Sequence, residues 1–239
     1  MSQQELIAAA LREVPDLPHW VDTRALLLSN NCRVFGGVGG FLARNEAEGG
    51  QLVAVIGKPP AVAFDEALTG REEAEILCAP ADAEHVGMQL TDWKRESVVQ
   101  LTLAAPARLA DVDDRVRRLA STDSLTHLTE ELRDEIDQAR REVDVIAAFE
   151  DGVAASFAYT CWKTEKHCDV SIDTVEAYRR RGLARAAVSE LIRRERARGL
   201  KPVWGAVATN VASQRLAESL GFERAGEMVF FTQPQESRH

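Results

Sequence analysis

From Cys168 to Arg185 the chain crowds together carboxylates, arginines and a glycine. Cys168-Asp169-Val170-Ser171-Ile172-Asp173-Thr174 alternates polar and apolar residues, as a half-buried strand does. Tyr178-Arg179-Arg180-Arg181-Gly182-Leu183-Ala184-Arg185 comes next. From there Leu183, Ala184, Ala187, Val188, Leu191 and Ile192 recur at helical spacing, with Arg185, Glu190, Arg193 and Arg194 on the opposite face. A strand therefore feeds an Arg/Gly turn that opens directly into an amphipathic helix. The first-turn N–H groups of a helix lack intrahelical partners and carry the positive end of its dipole. Glycine allows close backbone approach to a ligand, and clustered guanidinium groups add charge. Together they form a socket for a diphosphate. On the strand before it, Asp169, Ser171 and Asp173 project from one face.

The elements that position these groups follow from periodicity and punctuation. In the second half the pattern predicts a charged helix at 113–120, a helix at 130–141, and strands at 143–149, 154–162 and 168–175. After the helix at 183–198 come a strand at 203–208, a helix at 211–220 and a last strand near 228–231; Gly199 and Gly221 stop the two helices. From about 113 onward this makes an α/β layer around one mixed sheet. The first half reads as helices near 3–13 and 22–29, then strands at 51–56, 75–78, 86–93 and 98–103. Gly36-Gly37-Val38-Gly39-Gly40 lacks the Lys-Ser/Thr of a P-loop and is expected to be a flexible hairpin turn. A boundary is expected near 110, with domains at 1–110 and 111–239.

Composition narrows the partners. A net charge of −9 argues against nucleic acid or an anionic membrane surface, so the arginines at 179, 180, 181 and 185 are a local basic spot suited to a small polyanion. Cys32, Cys78, Cys161 and Cys168 have no metal-ligand spacing, and no metal is expected. The amphipathic N-terminus does not read as a signal peptide and no apolar run is long enough to span a bilayer, so a cytoplasmic setting is expected.

Arg179-Arg180-Arg181-Gly182-Leu183-Ala184 resembles the coenzyme A signature of the GNAT N-acetyltransferase superfamily, Arg/Gln-x-x-Gly-x-Gly/Ala, at every specified position. Asn210-Val-Ala-Ser213, Leu216-Ala217 and Leu220-Gly221-Phe222 are similar to a second signature of that family, in the right order. The resemblance covers about residues 125–232. It implies an α+β fold with a mixed, mostly antiparallel central sheet flanked by helices. Acetyl-CoA would lie in a V-shaped gap between strands 168–175 and 203–208. Amides of Arg179, Arg180, Arg181, Gly182, Leu183 and Ala184 would hold the pyrophosphate. Backbone groups of Asp173, Thr174 and Val175 would bond the pantetheine arm like an added strand, with Asn210 and Ser213 on the other side. Residues 1–110 would be an accessory α+β domain, a degenerate second copy of the fold being one reading. That half would cap the acceptor site or mediate a homodimer.

Acetyl transfer to an amine needs a neutral nucleophile, a polarised thioester carbonyl and a stabilised thiolate. A lysine-like amine has a pKa near 10.4, so deprotonating it at pH 7 costs about 4–5 kcal/mol. Asp173, nearest the cofactor end, is the expected base, with Asp169 or Glu165 in reserve; simple pairing with arginines or solvent is the alternative. A backbone N–H at Thr174 or Val175 is expected to polarise the carbonyl. Many family members carry a tyrosine general acid seven residues after the asparagine, where this chain has Ala217. Tyr159, Cys161 or water are the stand-ins, and the general acid is left unassigned. Trp162 and Trp204 line an acceptor pocket or pack the core, and His127 and His167 are expected to be exposed loop residues. The expected acceptor is a small-molecule primary amine. Protein lysine or N-terminal acetylation and a non-catalytic acyl-CoA sensor are the alternatives.

Overall fold

The protein is described here by a computed structural model covering residues 1–71 and 73–234. Ser2 and Glu5 cap each other's backbone N–H groups and start α1 (Gln3–Glu13). Then follow α2 (Val21–Leu28), β1 (Cys32–Gly37), β2 (Gly40–Asn45), β3 (Leu52–Gly57), α3 (Ala61–Leu68), β4 (Glu75–Cys78), α4 (Ala83–Gln89) and β5 (Lys94–Leu103). The second half supplies β6 (Val116–Arg118), α5 (Glu130–Glu142), β7 (Ile146–Glu150), β8 (Val153–Tyr159), β9 (His167–Asp169) and β10 (Ser171–Thr174). It continues with α6 (Leu183–Ala197), β11 (Lys201–Val207), α7 (Val211–Leu220) and β12 (Phe222–Thr232). No described helix is long and apolar enough to cross a membrane.

The chain forms two units. One holds Met1–Gln100, Ala206–Asn210 and the chain from Ala225; the other holds Leu101–Gly205 and Val211–Arg224. The division is not sequential, and the second unit starts ten residues before the expected boundary near 111. A cut at 110 therefore severs the second unit rather than releasing it.

In the first unit, β1, β2 and β3 form an antiparallel meander, and β3 pairs in parallel with β4 after α3 crosses over. Residues 229–232 of β12 pair antiparallel with β4. The glycine-rich segment is the β1–β2 hairpin turn, as its composition indicates. A side chain at Gly40 would lie 2.5 Å from the Ile56 carbonyl oxygen, so the close crossing of hairpin and β3 requires glycine there.

Two expected elements differ. Residues 86–93, expected as a strand, hold the last turn of α4 and the loop that follows it. Val86, Met88 and Leu90 alternate with polar residues, but the buried residues are Ala83, Val86 and Leu90, at helical spacing, while Met88 is exposed. Residues 113–120, expected as a helix, contain β6 at the edge of a sheet ordered β10-β8-β7-β6. Its charges satisfy ion pairs that suit an edge: Arg115 with Asp113 and Glu150, Arg117 with Asp123, Arg118 with Asp144.

That four-stranded sheet is the scaffold of the second unit. Ala147, Phe157 and Tyr159 pack with Ile136 and Ala139 of α5. Ile146, Ala148 and Ala158, equally buried, point to the other face, where α6 packs on β7, β8 and β10. Apart from the additional α2 in the first half and β6 in the second, and with β9 and β10 taken together as one divided strand, the two halves share an order of elements: helix, three strands joined antiparallel, helix, a strand parallel to the third, helix, strand. Phe157 is fully buried at the centre of the second unit. Phe157→Ala should destabilise the protein by about 3–5 kcal/mol in urea unfolding; a loss below about 1 kcal/mol would contradict this placement of the core.

Candidate active site

The single strand expected at 168–175 is divided. β9 pairs in parallel with β11, His167 opposite Lys201 and Asp169 opposite Val203. Val170 is buried, and beyond it β10 pairs antiparallel with β8. The chain thus leaves one sheet for another between Asp169 and Ser171, so that within the second unit β10 diverges in a wedge from Trp204 and Gly205 of β11. β10 is the edge strand on that side.

Register decides which groups face the wedge. Val175 N–H donates to the Ala155 carbonyl at 3.0 Å, and Thr174 lies opposite Ser156. Opposed residues of an antiparallel pair alternate between bonded and non-bonded rungs. Asp173 and Val175 therefore bond inward to β8, while Ile172 and Thr174 turn their N–H and C=O outward. Of the residues expected to bond an added strand, Asp173 and Val175 are thus occupied by β8, and the outward backbone groups belong to Ile172 and Thr174.

The turn after β10 contains two left-handed residues. Arg180 (φ 62°) and Gly182 (φ 80°) are left-handed, and Gly182 caps α6. A Cβ at Gly182 would meet nothing within 4 Å, so the demand for glycine comes from φ rather than crowding. The first backbone bond into α6 is Ala186 N–H to Gly182 O, 3.0 Å. The N–H groups of Leu183, Ala184 and Arg185 consequently have no acceptor within the helix. Successive amides in such a left-handed turn form an anion-binding concavity.

The four arginines are not equivalent. Arg179 Nε donates to Thr174 O at 3.3 Å, on the outward edge of β10. Arg181 donates to Ala177 O, stacks on Tyr178 and lies 3.6 Å from Glu150. Arg185 donates to Arg108 O at 2.5 Å, and with Ser189 and Arg193, which bond Ala110, it straps the 108–110 segment to α6. It belongs to the scaffold and not to the basic spot. Among the described residues, none holds the exposed Arg180 by a hydrogen bond or ion pair.

Asp173, Tyr159 and Glu135 converge. The Tyr159 hydroxyl lies 2.5 Å from Glu135 Oε1 and 3.2 Å from Asp173 Oδ2. Burial, then the charge of Glu135, raises the Asp173 carboxyl to about 6. Burial and the bond to Glu135 raise the Tyr159 phenol well above its ordinary value, so it holds its proton and makes a poor acid for a departing thiolate. Desolvation, then the charges of Asp169, Glu135 and Glu142, raises the Cys161 thiol to about 12. Glu135 did not stand out in the sequence. The signal was its position three residues after Leu132 and four before Ala139, a carboxylate at the margin of the apolar stripe of α5.

The other expected residues lie elsewhere. Asp169 accepts from Trp162 N–H at 2.8 Å and from the Ser171 hydroxyl at 3.4 Å, fixing the loop between β8 and β9 rather than standing with Asp173. Glu165 is exposed in that loop. Ser213 accepts the indole N–H of Trp204 at 2.9 Å; Trp204 is buried edge-on against Phe222 and is core, not pocket lining. Asn210 directly precedes α7, its N–H on Val207 O, and Ala217 is fully buried. His167 is buried, contrary to expectation, whereas His127 is exposed with a ring nitrogen 2.8 Å from Ala154 O.

A fold of this kind, with a strand diverging beside a glycine-opened helix, defines the GNAT class, and the comparisons agree. The GNAT acetyltransferase family model matches residues 98–231, more than half of the chain, and the protein belongs to that family. Solved structures of the same fold span nearly its whole length. A GCN5-related N-acetyltransferase-like protein from Streptococcus suis is 18% identical, with a TM-score of 0.70 over 97% of this chain and 100% of that one. A GNAT-family acetyltransferase from Colwellia psychrerythraea is 14% identical, with a TM-score of 0.62 over 98% of both chains. A tandem GNAT protein from the clavulanic acid biosynthesis pathway is 15% identical, with a TM-score of 0.60 over 98% of this chain and 97% of that one. No curated protein matches the chain.

The raised Asp173 carboxyl has a cost in stability. Below pH 3.8 it is protonated whether the chain is folded or not; between 3.8 and about 6 the unfolded chain ionises first, and the folded state loses that share of stability. Asp173→Asn should therefore stabilise the fold at pH 7.5 by about 2–3 kcal/mol and far less at pH 4. Equal effects at both pH values in urea unfolding would contradict the raised carboxyl.

Proposed function

We propose that the protein is an acetyl-CoA-dependent N-acetyltransferase whose acceptor is the primary amine of a small molecule. The supporting observation is the conjunction of three features in one short segment. They are the outward N–H and C=O groups of β10, the left-handed turn at the start of α6, and a carboxylate on the same strand with a raised pKa. The residues fit the cofactor: Ile172 and Thr174 would bond the pantetheine arm as an added strand, and amides from Arg179 to Ala184 would hold the pyrophosphate. Charge-assisted hydrogen bonds contribute about 1.5–3 kcal/mol each. A few of them, less the cost of ordering a flexible cofactor, give micromolar affinity, about −8 kcal/mol. Acetyl-CoA supplies the acetyl group; the chain supplies position and proton transfer.

Asp173, held near 6, is ionised at neutral pH and basic enough to take a proton from an ammonium group. The neutral amine nitrogen then attacks the thioester carbon, the C–N bond forms and the C–S bond breaks. The nitrogen's surplus proton goes to the departing sulfur, through water because position 217 is alanine. Thr174 N–H would stabilise the developing oxyanion. The direct attack requires both substrates bound together. Carboxylates of Asp173 and Glu135 flanking Tyr159 favour a cationic acceptor. Ala217 also supports a second reading, an acyl-CoA-binding sensor without turnover.

Calorimetric titration with acetyl-CoA should give micromolar binding to the wild type and at least about tenfold weaker binding to a folded Gly182→Glu variant. Equal affinity of the two proteins would remove the α6 turn from the cofactor site.

A further inference from the structure

Asp173 is partly buried beneath Tyr159, whereas Glu135, on the far side of the same hydroxyl, is exposed. A phenol has one proton and two lone pairs, so it cannot donate to both carboxylates at once. The 2.5 Å approach assigns the proton to the Tyr159–Glu135 bond. The Tyr159 oxygen then faces Asp173 at 3.2 Å with a lone pair, able to receive a hydrogen bond from Asp173 once that carboxyl is protonated.

We propose that Tyr159 and Glu135 form the proton exit of the candidate base, relaying to solvent the proton that Asp173 takes from the acceptor. In one concerted step the Asp173 O–H proton passes to the Tyr159 oxygen as the Tyr159 proton passes to Glu135. Asp173 is regenerated as a carboxylate, Tyr159 is again a neutral phenol, and no tyrosinate forms. Glu135 then loses its proton to water. No oxidant or co-reactant enters, and the proton is conserved at each transfer. The high pKa of Tyr159, which disqualifies it as an acid acting alone, does not oppose a step in which it gains one proton as it gives one up.

The groups facing this path come from every neighbouring element. Glu135 lies on α5, Tyr159 on β8, and Arg179, in the turn after β10, opposes the raised pKa of Asp173. Cys161 adjoins Tyr159, with Asp169 and Glu142 beyond it. Among them only Glu135 pairs a direct bond to the Tyr159 hydroxyl with exposure to solvent. Tyr159 and Glu135 are thus positioning residues acting through Asp173.

The inference rests on the proposed reaction, but its first test does not. Carboxyl carbons labelled with 13C would be titrated by NMR in the full-length wild type, Tyr159→Phe and Glu135→Gln, with Asp173→Asn to assign the signal. Glu135→Gln should lower the Asp173 midpoint by about half a unit to one unit, the charge being partly screened by solvent. Tyr159→Phe should not raise the Asp173 midpoint, because the Tyr159 proton is committed to Glu135. An Asp173 midpoint unmoved by Glu135→Gln, or raised by Tyr159→Phe, would overturn the relay. With acetyl-CoA and an acceptor amine, both variants should lower kcat at least about tenfold with little change in KM, as loss of a proton relay does; unchanged kcat in both would also overturn it. Absence of acetyl transfer by the wild type across an amine panel would instead count against the proposed function and leave the titration to decide the proton path.

Discussion

Backbone N–H and C=O groups must find partners, and a strand that leaves its sheet leaves some of them unsatisfied. The second unit does this at Val170. β9 remains beside β11 while β10 turns to β8, and Ile172 and Thr174 present their backbone groups to the wedge. The rest of the site depends on that departure. It exposes a ladder for an extended chain of hydrogen-bonding groups and aims the turn at 179–182 toward the same opening. It also places Asp173 on the face shared with Tyr159 and α5. A continuous strand from Cys168 to Val175 would keep the sequence motif and lose the site.

The first half shows what closing such a site looks like. Its order of elements is the same, but β3 pairs with β4 along the whole of β4. Gly57 N–H, at the point where a wedge would begin, donates to the Asp82 carboxylate at 3.2 Å. The turn into α3 reads Lys58-Pro59-Pro60; the prolines have no N–H to offer an anion, and Lys58 N–H is bonded to Gly39 O. One fold thus appears twice in the chain with opposite treatment of the same junction, and composition at that junction accounts for the difference. This agrees with the whole-length likeness to a tandem GNAT protein.

Much of the second unit was legible because its signals are local. Helical spacing from Leu183 to Ile192, Gly182 at a cap and Gly221 after α7 each act within a few residues. The division of 168–175 was not legible, since both segments alternate in the same way and only their partners differ. Residues 86–93 misled because a short run can satisfy two periods, and burial, which chooses between them, is tertiary. The charged run at 113–118 misled for a related reason: its ion pairs reach to Asp123, Asp144 and Glu150, beyond any helical window. Asp173 was visible as a carboxylate on a strand, but its partner Glu135 lies on another element, and no spacing in the sequence brings them together.

Amide hydrogen exchange with and without acetyl-CoA tests the central claim most directly. Added protection is expected at Ile172, Thr174 and the amides from Arg180 to Arg185, with none at Gly57, Lys58 or the first turn of α3. Protection confined to the first half, or none at the edge of β10, would contradict it.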